Sequence, residues 1–254
     1  MTTFAPAQIN STLACQQRYL PSELASDSTT LLETVLGMVD CGAAIFDNSQ
    51  STYCYASRSL ELMLGYPATT YLQGGLPFAF SLVHPDDLPG LIHILEKEAH
   101  LLDVLSAAER LEHRSSYDYR LRHAGGHYIR VWQRNQILNL DQAGNLLRRL
   151  SLITDVSHLK RDDSQMLSLY QGQGTLVSYI YNTLERSFSA CRFLSHRERD
   201  VLRLLSHGGG SQQIADTLNI SVHTVETHRR NMLTKSNMRD TSSLIAFVLA
   251  AGIL

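Results

Sequence analysis

Residues 221–235, SVHTVETHRRNMLTK, hold the densest set of side chains in the chain that could make directional hydrogen bonds from one flank of a helix. At three or four residues per turn, His223, Glu226, Thr227, Arg230 and Thr234 share a face that carries no bulky aliphatic side chain. Their chemistry suits the edges of base pairs. An arginine fork can grip guanine O6 and N7, and a carboxylate can accept from cytosine N4, each good pair discriminating by about 1–3 kcal/mol. A plainer use of two of them is local, since Glu226 and Arg230 stand at i, i+4 and could bond to each other for about 0.2–0.5 kcal/mol. Val225 and Met232, seven apart with His228 and Arg229 between them, mark the opposite stripe, which faces a small core.

The neighbouring elements present this flank. Ser221 is placed to cap the helix, its hydroxyl accepting from the orphan N–H groups of the first turn. Gln212 to Leu218 reads as a shorter helix, and Asn219-Ile220 leaves only a tight connection between the two, which makes a helix-turn-helix. Upstream, Ser195 with Glu198 forms a capping box for a helix that ends near Gly208. The glycine run that follows leaves Gly210 or Ser211 as the next N-cap. The last helix, about 242–251, is apolar nearly all round.

Leu194 to Leu254 resembles the LuxR-type DNA-binding domain. The resemblance rests on Leu194, Arg197-Glu198, Val201-Leu202, Leu204, Gly208, Ile214-Ala215, Leu218, Ile220-Ser221, Thr224-Val225, His228, Asn231, Lys235 and the closing Gly252-Ile253-Leu254. It implies that Thr224, His228 and Lys235 approach the phosphate backbone while Glu226, Thr227 and Arg230 read bases. With the cap Ser221 these form the expected DNA-binding set. It also implies a homodimer joined through the last helix, at Leu244, Phe247 and Val248, on an inverted repeat in double-stranded DNA. Many members of the family have a basic residue where Glu226 stands, which bears on the sequence read more than on binding itself.

The whole chain, 254 residues with 44% hydrophobic and 18% charged residues, is that of a folded protein and not a disordered one. Its formal charge of −2 divides unevenly: from Phe193 onward seven Arg/Lys against five Asp/Glu give +2, leaving −4 for residues 1–192. Binding to a polyanion would therefore depend on where the cations stand. The four cysteines show neither a C-x-x-C pair nor zinc spacing. The longest apolar run, Leu244 to Leu254, is too short to span a membrane, so a cytoplasmic protein is expected.

Upstream, residues 1–30 read as an N-terminal extension. From Leu31 a helical pattern leads to a short strand, Ala43 to Phe46, and its hairpin partner, Thr52 to Ala56. After several turns, a long helical segment covers about Leu88 to Leu111, and three strands follow at Tyr117–Arg122, His127–Leu138 and Leu147–Ile153. An antiparallel five-stranded sheet with helices over one face is the simplest packing. That order, with Leu64-Gly65-Tyr66, His84-Pro85-Asp86-Asp87, Gly125-Gly126 and Asp155-Val156-Ser157, resembles a PAS domain over 31–158. The chain departs from the family pattern at Ser57, where an Asn often stands, and in the length of 93–116.

A PAS-like domain implies a sensor for a small-molecule or protein signal, or a module used only for dimerisation or docking. The stretch Pro67 to Phe80 lacks the reactive cysteine that flavin photochemistry requires, and no cofactor is expected. For haem, His93, His100 and His113 are the available ligands. Tyr117, Tyr119, Tyr128 and Trp132 either line an aromatic cavity for a small organic ligand or fill the space between sheet and helices. Asp86-Asp87 suits helix capping. No catalytic array with interpretable spacing appears, which argues against an enzymatic first 190 residues. Residues 159–192 read as a helical linker on the four-residue steps of Leu176, Ile180, Leu184 and Phe188. The expected architecture is thus an α+β PAS-like domain followed by an all-α, four-helix helix-turn-helix domain at 193–254: a sensor controlling a DNA-binding transcription regulator.

Overall fold

A computed structural model describes residues 22–159, 165–171, 175–182, 187–191, 194–236 and 238–251. Residues 1–21 of the expected N-terminal extension, Phe193 and the closing Gly252 to Leu254 lie outside them.

The helix α1 (Ser22–Met38) leads into β1 (Cys41–Asp47) and β2 (Thr52–Ala56), followed by α2 (Arg58–Leu64), α3 (Ala68–Ser81), α4 (Leu88–Val104) and α5 (Ala107–Glu112). Next come β3 (Arg114–Arg122), β4 (Tyr128–Leu140), β5 (Leu146–Asp155), β6 (Gln165–Gln171), β7 (Thr175–Asn182) and β8 (Ser187–Cys191). All eight strands join one antiparallel sheet in the order β2-β1-β5-β4-β3-β6-β7-β8. The α+β reading stands, and the five expected strands are present. The expectation of a helical linker over 159–192 is corrected: its described residues extend the sheet by three strands. A spacing of four is a multiple of two as well as about one helical turn, so the pattern fits a strand as well as a helix. The Leu-Val-Ser-Tyr-Ile-Tyr run of β7 is rich in the β-branched and aromatic residues that strands favour.

The long helical segment is two helices. Leu105 leaves the helical conformation, and Ser106 restarts it with a capping box in which its hydroxyl accepts from the Glu109 N–H and its own N–H donates to the Glu109 carboxylate. The motif residues resolve into local devices. Ser57 caps α2, its Oγ accepting from Leu60 N at 3.1 Å and also from Ala43 N at 2.8 Å. Gly65 ends that helix in the left-handed region (φ 76°), where an added Cβ would also meet Ala124 Cβ at 3.0 Å. Asp87 stands at the N-cap of α4 but its side chain makes no capping bond, contrary to expectation. Its fully buried carboxylate instead accepts from Arg120 N (2.7 Å) and from the Arg120 guanidinium (2.5 Å), tying the start of α4 to β3.

The central strands β3 and β4 are buried on both faces. Tyr117, Tyr119, Val131 and Ile153 face a core made with Leu60, Leu64, Tyr71, Leu91 and Ile94 of the helices. Trp132, between two residues of the other face, joins Val156, Leu159 and Met166 in a second core that continues into the C-terminal domain. On the same face Asp118, opposite Trp132, binds the Arg130 guanidinium and accepts from Met166 N at 2.7 Å, so a buried carboxylate attaches β6 to the sheet. Leu36 of α1 covers the remainder of this face with Cys41, Ala43 and the flanking Leu150 and Leu152.

The C-terminal domain has helices α6 (His196–Ser206), α7 (Ser211–Leu218), α8 (Val222–Ser236) and α9 (Thr241–Ala251). Its core gathers Val201, Leu202, Ile214, Ala215, Val225, Met232, Leu244 and Val248. Phe247 reaches across to the sheet, its ring meeting Trp132 edge to face with centroids 4.7 Å apart.

Candidate nucleic-acid interface and sensor cavity

The helix α8 is built as the spacing predicts. Ser221 Oγ accepts from Thr224 N at 3.1 Å, capping the first turn, and Val225 and Met232 are fully buried. Behind it, Asn219 ends α7 in the left-handed region (φ 52°) and lets Ile220 N return to Ala215 C=O, which closes the connection. His223, Glu226, Arg230 and Thr234 are exposed, with Thr227 half-buried among them. The hydroxyls of Thr227 and Thr234 donate to the carbonyls of His223 and Arg230, which leaves them acceptor capacity only.

Two charged residues differ from the simplest reading. Glu226 does not pair with Arg230. Its Oε1 accepts from Ser211 Oγ at 2.5 Å and from Arg229 Nη1 at 3.1 Å. Arg230 extends outward with no salt bridge or hydrogen bond from its guanidinium among the described residues. Lys235 donates to both oxygens of Glu198, at 2.7 and 2.9 Å. Burial raises the pKa of Glu198, but the Lys235 hydrogen bond and the Ser195 N–H outweigh it and hold the carboxyl below its usual range. Sequence spacing missed this pair because 37 residues separate its members.

Arg229, read from spacing as part of the core stripe, is a bridge between helices. Its Nη1 donates to Ser211 Oγ at 2.9 Å and its Nη2 to Thr241 Oγ1 at 3.3 Å, so one guanidinium touches the starts of α7 and α9 as well as its own helix. No single-helix pattern signals such a tie. Ser221 is exposed, and Thr224 and His228 are half-buried. Leu244, Phe247 and Val248, expected at a dimer contact, are fully buried within the single chain, whereas Leu249 (56% exposed) is an outward-facing large apolar residue of α9.

A cavity of about 210 Å³ lies between the helices and the front of the sheet. Phe46, Tyr53, Phe80 and Leu95 form its apolar wall, and Tyr117, Tyr119, Gln133, Arg149 and Ser151 bring polar atoms to its floor. Of the four aromatic residues singled out from the sequence, Tyr117 and Tyr119 line it. Tyr128 is 40% exposed beside His84, and Trp132 faces the opposite core. The floor is a connected network. Gln133 Oε1 accepts from the Tyr119 hydroxyl at 2.5 Å, while its Nε2 donates to Asn135 Oδ1 at 2.7 Å and to the Tyr117 hydroxyl at 3.1 Å. Burial pushes Tyr53 up to about 12 and Tyr117 and Tyr119 higher still, so all three phenols remain protonated.

Arg149 is balanced by Glu98 of α4 at 3.2 Å, itself only 2% exposed. Burial raises the Glu98 pKa, but Arg149 more than offsets this and keeps it below the usual carboxylate range. Of the histidines considered for haem, His113 is buried against Glu98 at 3.4 Å, while His93 and His100 are exposed. None of the three lines the cavity.

Comparison with known proteins covers both halves. Residues 192–248 match the bacterial regulatory proteins of the luxR family, and residues 53–153 match the PAS fold. The transcriptional regulatory protein MctR of Rhizobium johnstonii is 43% identical over 86 residues, 33% of this chain and 40% of that protein. The oxygen regulatory protein NreC of Staphylococcus epidermidis is 36% identical over 63 residues, 25% of this chain and 29% of that protein. The chain thus spans less than half the length of these curated relatives. Among solved structures, the VqmA–ligand–DNA complex of Vibrio cholera is 16% identical, with 88% of each chain covered and a TM-score of 0.33.

Proposed function

We propose that this chain, a PAS-fold domain followed by a LuxR-type helix-turn-helix domain, is a cytoplasmic DNA-binding transcription regulator that reads a major groove through α8. The observation that carries this reading is the exposed flank of α8, where Arg230 extends into solvent while Val225 and Met232 anchor the helix from behind. Glu226, Thr227 and Arg230 are assigned to base edges, and Ser221, Thr224 and His228 to the phosphate backbone at the capped end. Lys235 reaches a phosphate only by giving up Glu198. The described helices include none long and apolar enough to cross a membrane.

The working form is a homodimer on an inverted repeat, which requires a contact between copies. Leu244 and Val248 belong to the domain core, so a dimer contact through α9 uses Leu249 as it stands, and includes Phe247 only when that ring leaves Trp132. The PAS-fold domain acts as the sensor. Its 210 Å³ cavity, with protonated phenols and a balanced Arg149–Glu98 pair, favours a small-molecule signal over a role limited to docking. Such a signal shifts the DNA-competent population by as much as its affinity differs between the two states.

Retardation of genomic fragments by the purified chain, followed by footprinting, tests the assignment. Protected inverted repeats are the expected result. Failure to bind any duplex at low salt overturns it.

A further inference from the structure

On the exposed flank of α8, the carboxylate of Glu226 is held in place, and held by groups that are not themselves on that flank. Three residues close a ring. Arg229 Nη1 donates to Ser211 Oγ at 2.9 Å and to Glu226 Oε1 at 3.1 Å, and Ser211 Oγ donates to the same Oε1 at 2.5 Å. The donors and acceptors balance: the serine hydroxyl accepts once and donates once, and the guanidinium spends two N–H groups of one nitrogen. Both bonds to Glu226 fall on Oε1. Among the described residues Oε2 has no partner, and the Glu226 side chain is 52% exposed.

The ring is anchored on both sides. Ser211 is the first residue of α7, after the N-cap Gly210, and the Arg229 side chain is 30% exposed and fastened at Thr241 of α9. Three helices therefore contribute to the orientation of one carboxylate. We propose that Ser211 and Arg229 are positioning residues for base recognition: they fix Glu226 so that Oε2 is presented to the major groove as an acceptor for the exocyclic amino group of cytosine or adenine. This rests on the DNA-binding reading above.

Two physical effects make the arrangement useful. A free glutamate on a helix surface samples several rotamers, and ordering it on contact costs entropy that a preformed ring has already removed. A bare carboxylate beside phosphates is also repelled, and the Arg229 charge next to Oε1 offsets that repulsion without covering Oε2. An amino group on a base can then donate to Oε2, whereas the carbonyl oxygens of guanine and thymine face an acceptor and are rejected.

The test is selection from a duplex library randomised across the half-site, using the full chain as wild type, Glu226→Ala, Ser211→Ala, Arg229→Met and the double variant Ser211→Ala/Glu226→Ala. Glu226→Ala locates the position that it reads, where the wild type prefers cytosine or adenine over guanine or thymine on the strand that Glu226 faces. At that position Ser211→Ala and Arg229→Met are expected to lose 5-fold or more of the preference while the position read by Arg230 keeps its own. Ser211→Ala should add nothing in the Glu226→Ala background. An undiminished preference in both single variants overturns the proposal, as does a loss spread evenly over all sequences, which marks a phosphate or folding role. Absence of any position altered by Glu226→Ala overturns it as well. Melting curves exclude unfolded variants, and Ser211→Ala, which leaves the Arg229 tie to Thr241 intact, keeps the test open if Arg229→Met does not fold. A wild type that binds no duplex sinks the DNA-binding reading instead.

Discussion

The polar groups of the cavity in the PAS-fold domain and those of α8 are handled in opposite ways. On the cavity floor Gln133 is bonded to Tyr117 and Tyr119, and to Asn135 behind them, and Arg149 is balanced by a carboxylate. On α8, Arg230 and Glu226 Oε2 extend into solvent and only the groups behind them are engaged. Buried polar atoms left unpaired are costly, so a cavity must satisfy most of its own groups and can offer a ligand only a few. A surface helix bears no such penalty and can leave polar atoms open to solvent. The first arrangement makes function and stability inseparable. The second separates them.

Mutations sharpen that contrast. The largest effect is expected from Arg149→Ala, which leaves Glu98 buried without its cation and should cost about 3–5 kcal/mol of stability, seen as a large fall in thermal midpoint. A small fall would show that Glu98 is better solvated than its 2% exposure indicates. Next comes Arg230→Ala, expected to weaken operator binding by about 1–3 kcal/mol with an unchanged melting curve. A matching loss of stability would erase the distinction between the two regions.

Lys235→Ala lies between them. Because its ammonium is committed to Glu198, the variant should lose about 1 kcal/mol of stability, and the slope of log affinity against log salt should stay the same. A slope smaller by about one unit would return Lys235 to the phosphate contacts. The smallest effect is on acid stability. Glu198 has a depressed pKa in the folded chain, so its contribution is fully present above the unfolded value near 4.5 and is lost as pH falls through the lower folded value. In Lys235→Ala the corresponding part of the acid transition, followed by circular dichroism, should shrink.

Much of this was legible because it is local. The caps at Ser195 and Ser221 and the seven-residue step from Val225 to Met232 each depend on residues within two turns. What failed depended on pairing across the fold. The stretch 176–188 was ambiguous because a four-residue repeat satisfies a strand as well as a helix, and only pairing with the neighbour β6 decides. The carboxylate of Asp87 chose Arg120 over its own helix, and Lys235 chose Glu198. In the candidate interface the exposed polar flank of α8 was visible from spacing, but the Ser211–Arg229 ring behind Glu226 was not, since it joins helices whose relative placement no periodicity encodes.

The indole of Trp132 belongs to the sheet yet is walled in by a ring from the last helix, and the chain contains no other tryptophan. Excited at the red edge, where tyrosine scarcely absorbs, the unlabelled protein therefore carries a built-in optical gauge. Blue emission reports the two halves in register, and a shift toward longer wavelength on adding duplex or signal would time their separation.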